Sequence, residues 1–344
     1  MEQKKKNYIT IKDIARKLGI STSTVSRALR DQPDVNPETK EQVRKLAEEL
    51  NYQPNLFASG LVSRRTRLLG VVVPRISNHF FSAITSGVQN VAYKHQYRVI
   101  ICESDHSVER ERENIEALLS IRVDGIIVAP LMDYEHSMTD HLANILARDV
   151  PLVYVDRVQP AVVASSILID DFLAAREATE YLISTGCRRL AHFTGPQWTS
   201  VCRDRKLGFI EAVNRAGLEL REDWIIETGF EPWHAAEVVK KLWEDPIRPD
   251  GILGINDRVL AGASHALTGM GVSIPEDVSM IGFSDNPLSS LIRPTLSSVR
   301  QPAYEMGEVA ATLILEQIDL TGIPAEPVHK VLDTRLILRE STRS

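Results

Sequence analysis

Between residues 68 and 283, short Val/Ile-rich runs alternate with stretches of helical periodicity, and this alternation constrains the fold more than any other feature. The runs 68–74, 98–103, 124–130 and 152–156 are bounded by turn residues, and 81–94, 108–120 and 137–147 between them carry helical spacing. A second series follows at 167–169, 190–194, 224–227, 251–255 and 278–283, again with helices between. Runs so uniformly apolar are buried on both faces, which means parallel strands joined by crossover helices. Two series predict two similar doubly wound parallel-sheet lobes, and in such lobes ligands bind beside the carboxyl ends of the strands.

The residues just past those strand ends are unusually functional. They include Asn78 with Phe80 and Phe81, then Asp156-Arg157, Asp170-Asp171, Gly195-Pro196 through Arg203 and Arg205, Asn256-Asp257, and Ser284-Asp285-Asn286. Carboxylates and amides exchange hydrogen bonds with hydroxyls, arginine forks onto an oxygen pair, and phenylalanine covers a flat face. The set suits a polyhydroxylated or heterocyclic small molecule. Each Asp or Asn has a structural reading beside this one, because such residues cap the helix that follows a strand. The cluster as a whole favours a binding cleft. Elsewhere, 108–113 reads as a solvated charged helix face, Trp224 and Trp243 as core or interface, and 304–318 as a late helix returning to the first lobe. The histidines form no ligand set, and neither a metal nor a cofactor is expected.

Ahead of this body stand three short helical patterns. Thr10 can cap the first with Asp13 reaching back, Ile14, Ala15 and Leu18 form its buried stripe, and Gly19 ends it. Ser21 caps the second, where Val25 and Leu29 face inward and Thr22, Ser23, Ser26, Arg27 and Arg30 are left outside. Asn36-Pro37-Glu38 starts the third, with Val43, Leu46, Ala47 and Leu50 inward. This spacing fits a helix-turn-helix, whose second helix lies in the major groove of DNA. Short hydroxyls there approach base edges and phosphates, and Arg27 can reach a guanine with both arms of its fork. The competing reading is a three-helix lid with an ordinary solvated face.

Charge sharpens the division. Residues 1–65 hold 13 Lys/Arg against 8 Asp/Glu, net +5, and the remainder holds 27 against 38, net −11. A basic head on an acidic body implies that the head alone meets a polyanion. At 344 residues the chain is long enough for two or three domains. Its apolar runs stop far short of the roughly 20 residues a bilayer crossing needs. Lys4-Lys5-Lys6 is followed by an amphipathic segment rather than a continuous apolar one, so the expected location is the cytoplasm. Cys102, Cys187 and Cys202 lack metal-ligand spacing and read as reduced buried thiols. Neither a G-x-S-x-G elbow, a Walker A loop, H-E-x-x-H nor G-x-G-x-x-G occurs, which argues against an enzyme. A secreted binding protein would share the body but not the basic head.

The segments Thr10-Ile11-Lys12-Asp13-Ile14-Ala15, Gly19-Ile20-Ser21 and Thr24-Val25-Ser26-Arg27-Ala28-Leu29 resemble the head of the LacI/GalR (lac repressor) family, and Asn51-Tyr52-Gln53-Pro54-Asn55 and 58–61 continue the likeness. The resemblance runs along nearly the whole chain. It implies a dimeric transcription regulator, in the main a repressor, that reads a near-palindromic double-stranded operator. Thr22, Ser23 and Arg27 would read bases, Ser21, Thr24 and Ser26 would lie nearer phosphates, and Thr10 and Asn55 complete the DNA-facing set. The stretch 54–65 would be a hinge helix, marginal on its own because of its length and Gly60. In it Leu61 would wedge into the minor groove, with Ala58 against the partner's hinge.

For the body the resemblance implies a periplasmic-binding-protein-like fold with three crossovers between lobes. Phe80, Phe81, Arg205, Asn256 and Asp285 match effector-contact positions, Arg205 and Asp285 most firmly, and Trp198 and Phe230 fall on loops that align less surely. Asn78 and Asp156 join this effector set. The expected divisions are a head over 1–53, a linker over 54–66 and a body over 67–344, with lobe 1 at about 67–168 plus 301–326 and lobe 2 at about 169–300 plus 327–344. Three departures bear on the ligand: His79 stands where the family usually has proline, Ser284 for a frequent aspartate, and Asp171 for a frequent asparagine. The expected effector is therefore stated only as a sugar, a sugar phosphate, a nucleoside or a purine.

Overall fold

The computed structural model describes residues 9–52, 65–131, 139–320 and 326–343, and divides into two units, 1–66 and 67–344.

In the first unit, α1 (Ile11–Leu18), α2 (Thr22–Leu29) and α3 (Pro37–Glu49) close on one another. Ile14, Val25, Ala28 and Val43 are fully buried between them, with Ala15 and Ala47 beside them. Gly19 ends α1 at φ +65°, a left-handed conformation that a side chain would strain, and so permits the tight turn into α2.

The second unit contains two six-stranded sheets. In chain order the strands are β1 (Leu68–Val73), β2 (Arg98–Glu103), β3 (Gly125–Val128), β4 (Leu152–Val155), β5 (Ser165–Ile169), β6 (Leu190–Thr194), β7 (Ile225–Glu227), β8 (Gly251–Gly254), β9 (Ser279–Phe283), β10 (Ser297–Arg300), β11 (His329–Leu332) and β12 (Arg335–Ile337). The first sheet runs β11-β5-β4-β3-β1-β2 and the second β12-β10-β9-β8-β6-β7. Read from the far edge, each begins with the same doubly wound order, the second strand before the first and then the third, fourth and fifth. All pairings are parallel except β10 with β12. The chain passes from the first sheet to the second after β5, returns after β10, and crosses a third time between β11 and β12.

Helices cover both faces of each sheet. His79–Lys94 and Ala303–Asp319 pack on one face of the first, while Val108–Ser120 and Asp140–Ala147 cover the other. Asp171–Ser184 with Ser200–Arg215, and Pro232–Leu242 with Asp257–Gly269, do the same for the second. Close approach explains two glycines: a methyl group on Gly87 would meet the Tyr304 carbonyl, and one on Gly307 would meet that of Ile84. Trp224 and Trp243 lie in the second core.

Four expectations need correction. Residues 167–169 do not open the second series but belong to β5 of the first sheet. The connection from β4 to β5 contains no helix, so the strand–helix alternation broke there and imitated a new lobe. Residues 329–332, expected in lobe 2, form β11 beside β5, so the last crossing falls after 332 rather than before 327. Trp224 ends a 3-10 turn, Glu222–Trp224, and the strand starts only at Ile225. Finally, the charged run 108–113 is not wholly solvated. Glu111 is completely buried, its Oε1 lies 2.9 Å from His141 Nε2, and its Oε2 accepts from the Leu131 N–H at 2.9 Å. Glu111, Ile115 and Leu118 share one helical stripe, and the buried pair offsets the cost of placing a carboxylate there.

Candidate nucleic-acid interface and ligand cleft

On the head, capping chemistry fixes the outward face. The Thr10 backbone N–H and hydroxyl both donate to Asp13 Oδ2, at 2.9 and 2.7 Å, and these bonds hold the Asp13 carboxyl below the usual range. Ser21 Oγ accepts the Thr24 N–H at 3.0 Å and lies 2.7 Å from Ser23 Oγ and 2.8 Å from Thr24 Oγ1. These local bonds orient the first turn of α2, leaving Thr22, Ser23, Arg27 and Arg30 exposed along one surface. Arg30 donates to Ser26 Oγ at 2.7 Å, and Arg27 pairs with Asp34 at 2.8 Å, both partners about half exposed. Asp34 was not anticipated, since it sits in the loop between α2 and α3. Of the predicted DNA-facing residues that are described, Thr10, Ser21, Thr22, Ser23 and Arg27 are exposed, and Thr24 and Ser26 are half-buried. Asn55, Ala58 and Leu61 lie outside the described residues.

In the body, the carboxyl ends of both sheets face one cavity. From the first sheet come Arg75, Asn78, Phe80 and Phe81 after β1, His106 after β2, and Asp156 with Arg157 after β4. The second contributes Val201 and Arg205 after β6, Phe230 and Glu231 after β7, Ile255, Asn256 and Arg258 after β8, and Ser284 and Gln301 after β9 and β10. Seven predicted effector residues therefore converge: Asn78, Phe80, Phe81, Asp156, Arg205, Phe230 and Asn256. Asn78 and Asn256 are also helix caps, accepting the N–H groups of Phe80 at 3.1 Å and Val259 at 2.9 Å. The capping reading holds at both positions, and a capping carbonyl leaves the amide –NH2 to offer.

Arg205 is locked. Its Nε donates to Asp171 Oδ1 at 2.7 Å, its Nη1 to the Ile255 carbonyl at 2.6 Å, and its guanidinium carbon lies 3.9 Å from the Phe283 ring centre. Burial pushes the Asp171 carboxyl up to about 7 while the Arg205 charge pulls it down. Asp156 is also buried, which raises its carboxyl, and it accepts from Arg157 Nε at 3.2 Å. Burial, then the charges of Arg157 and Arg75, push His106 down to about 4, so it is neutral at pH 7.

Two predicted effector residues do not line the cavity. Trp198 stands edge-on to His106 at 6.2 Å, and it is His106 that stacks on Phe230 at 5.1 Å. Asp285 is held by Arg300 Nε at 2.7 Å and Arg339 Nη2 at 2.6 Å, which turns it into a brace between the β9 loop and the C-terminal segment. Replacing Asp285 with alanine should accordingly lower stability by about 2–3 kcal/mol, below the range for a fully buried pair because Arg300 is half exposed. Urea denaturation measures this. A variant of unchanged stability that has lost its ligand response would return Asp285 to the cleft.

Sequence reading missed Arg75, His106, Glu231, Arg258 and Gln301. Arg75 Nη1 donates to Glu231 Oε1 at 2.7 Å across the lobes, Arg258 Nη2 donates to Glu231 Oε2 at 2.9 Å, and Asp105 holds the other arm of Arg75 at 2.7 Å. This clasp and the His106–Phe230 stack draw the lobes together. The cavity, partly open to solvent, has about 50 Å³, room for a few waters, against roughly 300–1,000 Å³ for ordinary ligand pockets. A ligand enters only when the lobes part or these side chains move. Among the described residues, no group of three His, Cys, Asp or Glu is placed to hold a metal, and no helix is long and apolar enough to cross a membrane.

Comparison with known proteins agrees with both halves. Residues 10–55 match the family described as bacterial regulatory proteins, lacI family, and residues 179–342 match a periplasmic binding protein-like domain. The chain is 31% identical to catabolite control protein A of Priestia megaterium over 97% of this chain and 99% of that protein. It is 33% identical to the ribose operon repressor of Halalkalibacterium halodurans over 97% of each. The lac repressor dimer bound to operator and the anti-inducer ONPF superposes with a TM-score of 0.84 at 24% identity, covering 98% of this chain and all of that one, a likeness of fold. By its sequence relatives over almost its full length, the chain belongs to the lacI family of bacterial regulatory proteins.

Proposed function

We propose that the protein is a cytoplasmic transcriptional repressor that binds a near-palindromic operator as a homodimer, its DNA affinity set by a small molecule held between the two lobes. The observation that carries this reading is the pairing, in one chain, of a hydroxyl- and arginine-faced helix-turn-helix with a duplicated α/β body whose strand ends share a cavity. A relative named as a ribose operon repressor and a solved transcriptional regulator CelR–cellobiose complex, 28% identical, support control by a small metabolite. Thr22, Ser23 and Arg27 read bases, Ser21, Thr24 and Ser26 approach phosphates, and Thr10 and Asn55 border them. Leu61 and Ala58 form the hinge contacts. Phe81, Arg205, Phe230 and Asn256 form the centre of the ligand site.

The mechanism is a population shift. Ligand changes the angle between the lobes, which moves the paired hinges apart or together. The operator gains or loses affinity by the ligand's differential affinity for the two states, typically 1–3 kcal/mol or about 5–150-fold. Operator titrations with and without saturating ligand check it, and equal affinity in both would reject the coupling.

A further inference from the structure

We propose that the second lobe carries a further ligand site at the end of its sheet remote from the cleft, a groove that takes a small aromatic acid, its ring on an apolar floor and its carboxylate held by arginines. The site goes beyond the repressor reading and stands whether or not the cleft binds a ligand.

The groove lies at the amino ends of β6, β8 and β9, and no residue lines both it and the cleft. The helices Pro232–Leu242 and Asp257–Gly269 begin at the cleft, where Glu231 and Asn256 precede them, and finish at Trp243 and Met270 in the groove. The shorter helix, 11 residues long, spans about 16 Å, too far for one small molecule to touch both places. The groove, partly open to solvent, has about 500 Å³, ten times the cleft and within the roughly 300–1,000 Å³ of ordinary ligand pockets.

Its floor is apolar and fixed. Trp243 is 9% exposed and belongs to the second core, Val272 packs against that core, and Pro249 is buried beside them. Met270, 43% exposed, adds a polarizable thioether, which suits a ring. The rim is basic. Asp250 Oδ1 accepts the backbone N–H groups of Arg188 and Arg189, both at 2.8 Å, and its Oδ2 stays 3.7 Å from Arg189 Nη2, beyond hydrogen-bond reach. Arg248 is oriented by its Nε, which donates to the Asp245 carbonyl at 3.0 Å and leaves the Nη groups to meet a carboxylate. Asp277, the one carboxylate among the described lining residues, already accepts the Ser273 N–H at 2.8 Å. Two arginines against one engaged carboxylate give a positive rim, which selects an anion over a neutral or cationic ring.

The test titrates full-length protein calorimetrically with sodium indole-3-acetate, its neutral isostere indole-3-acetamide and the cation tryptamine, at one ionic strength. The acid should bind saturably, one per chain, with the amide weaker and tryptamine weakest. The double variant Arg189→Gln/Arg248→Gln should bind the acid about tenfold less tightly and the amide as before. Both arginines are exposed, so its ligand-free melt should match that of the wild type. Met270→Glu, which sets a like charge at the open edge, is a second variant that should weaken the acid. Phe230→Ala, altered in the cleft, should bind the acid as the wild type does. No saturable binding, an equal or inverted order among the three compounds, undiminished affinity in the double variant, or loss of binding in Phe230→Ala overturns the proposal. The last of these would put the acid in the cleft and leave the cleft reading standing.

Discussion

The Arg205→Ala variant should lose about 3–5 kcal/mol of stability at neutral to alkaline pH, the cost of removing one partner from a buried ion pair. Arg205 and Asp171 are each less than a tenth exposed, and the Ile255 carbonyl loses its guanidinium donor as well. The loss carries a pH signature. Asp171 titrates at about 7 when folded and near 4 when unfolded, so its folded form holds the proton more tightly, and both proteins weaken together as pH rises from about 4 towards 7. Above about 7 only the wild type has a guanidinium to receive the charge, so the gap between wild type and variant widens there. Urea denaturation at pH 5.5 and pH 8 reads this directly. Adding Asp171→Asn should recover part of the stability, because the stranded carboxylate is gone. A gap independent of pH, with no recovery in the double variant, would show that Arg205 acts through the Ile255 carbonyl and packing on Phe283 rather than through Asp171.

What the sequence conveyed depended on the range of each interaction. Strands such as Leu68–Val73 and Leu152–Val155 were legible because burial on both faces makes them continuously apolar, a purely local signal. The caps at Ser21, Asn78 and Asn256 were legible too, since each depends on neighbours two or three residues on. The clasp was not: Arg75 and Glu231 are 156 residues apart and meet only through the crossovers. Asp285 shows the same limit from the other side. Its place after a strand end suited a ligand contact, but its partner Arg339 arrives from 54 residues away on the C-terminal segment. Glu111 was recoverable, because its i, i+4, i+7 relation to Ile115 and Leu118 put it on the apolar stripe, and the surrounding charges drew attention from that period.

Replacing Arg27 with alanine should weaken binding to the preferred operator by about 1–3 kcal/mol, or about 5–150-fold, and relax base preference at one position in each half-site. The free head sets what such a contact must overcome. Arg27 is already paired with Asp34 at 2.8 Å, with both side chains about half exposed. Such a pair is worth about 0.2–1 kcal/mol, less than a forked contact with guanine, so the right base takes the guanidinium from Asp34. A wrong base offers no equal return, so there Arg27 keeps Asp34, and the cost of parting the pair falls on the preferred site. Asp34→Asn should therefore raise affinity for the preferred site more than for random duplex, by no more than the pair's ~0.2–1 kcal/mol, widening the ratio between them. Anisotropy titrations of both duplexes across a salt series measure all of this, the preferred site being selected first from a random pool. If Arg27→Ala weakens both duplexes equally and lowers the salt slope by about one, Arg27 touches a phosphate and reads no base. If Asp34→Asn leaves the ratio where it was, the pair plays no part in discrimination, and selectivity rests on the hydroxyl-bearing first turn of α2.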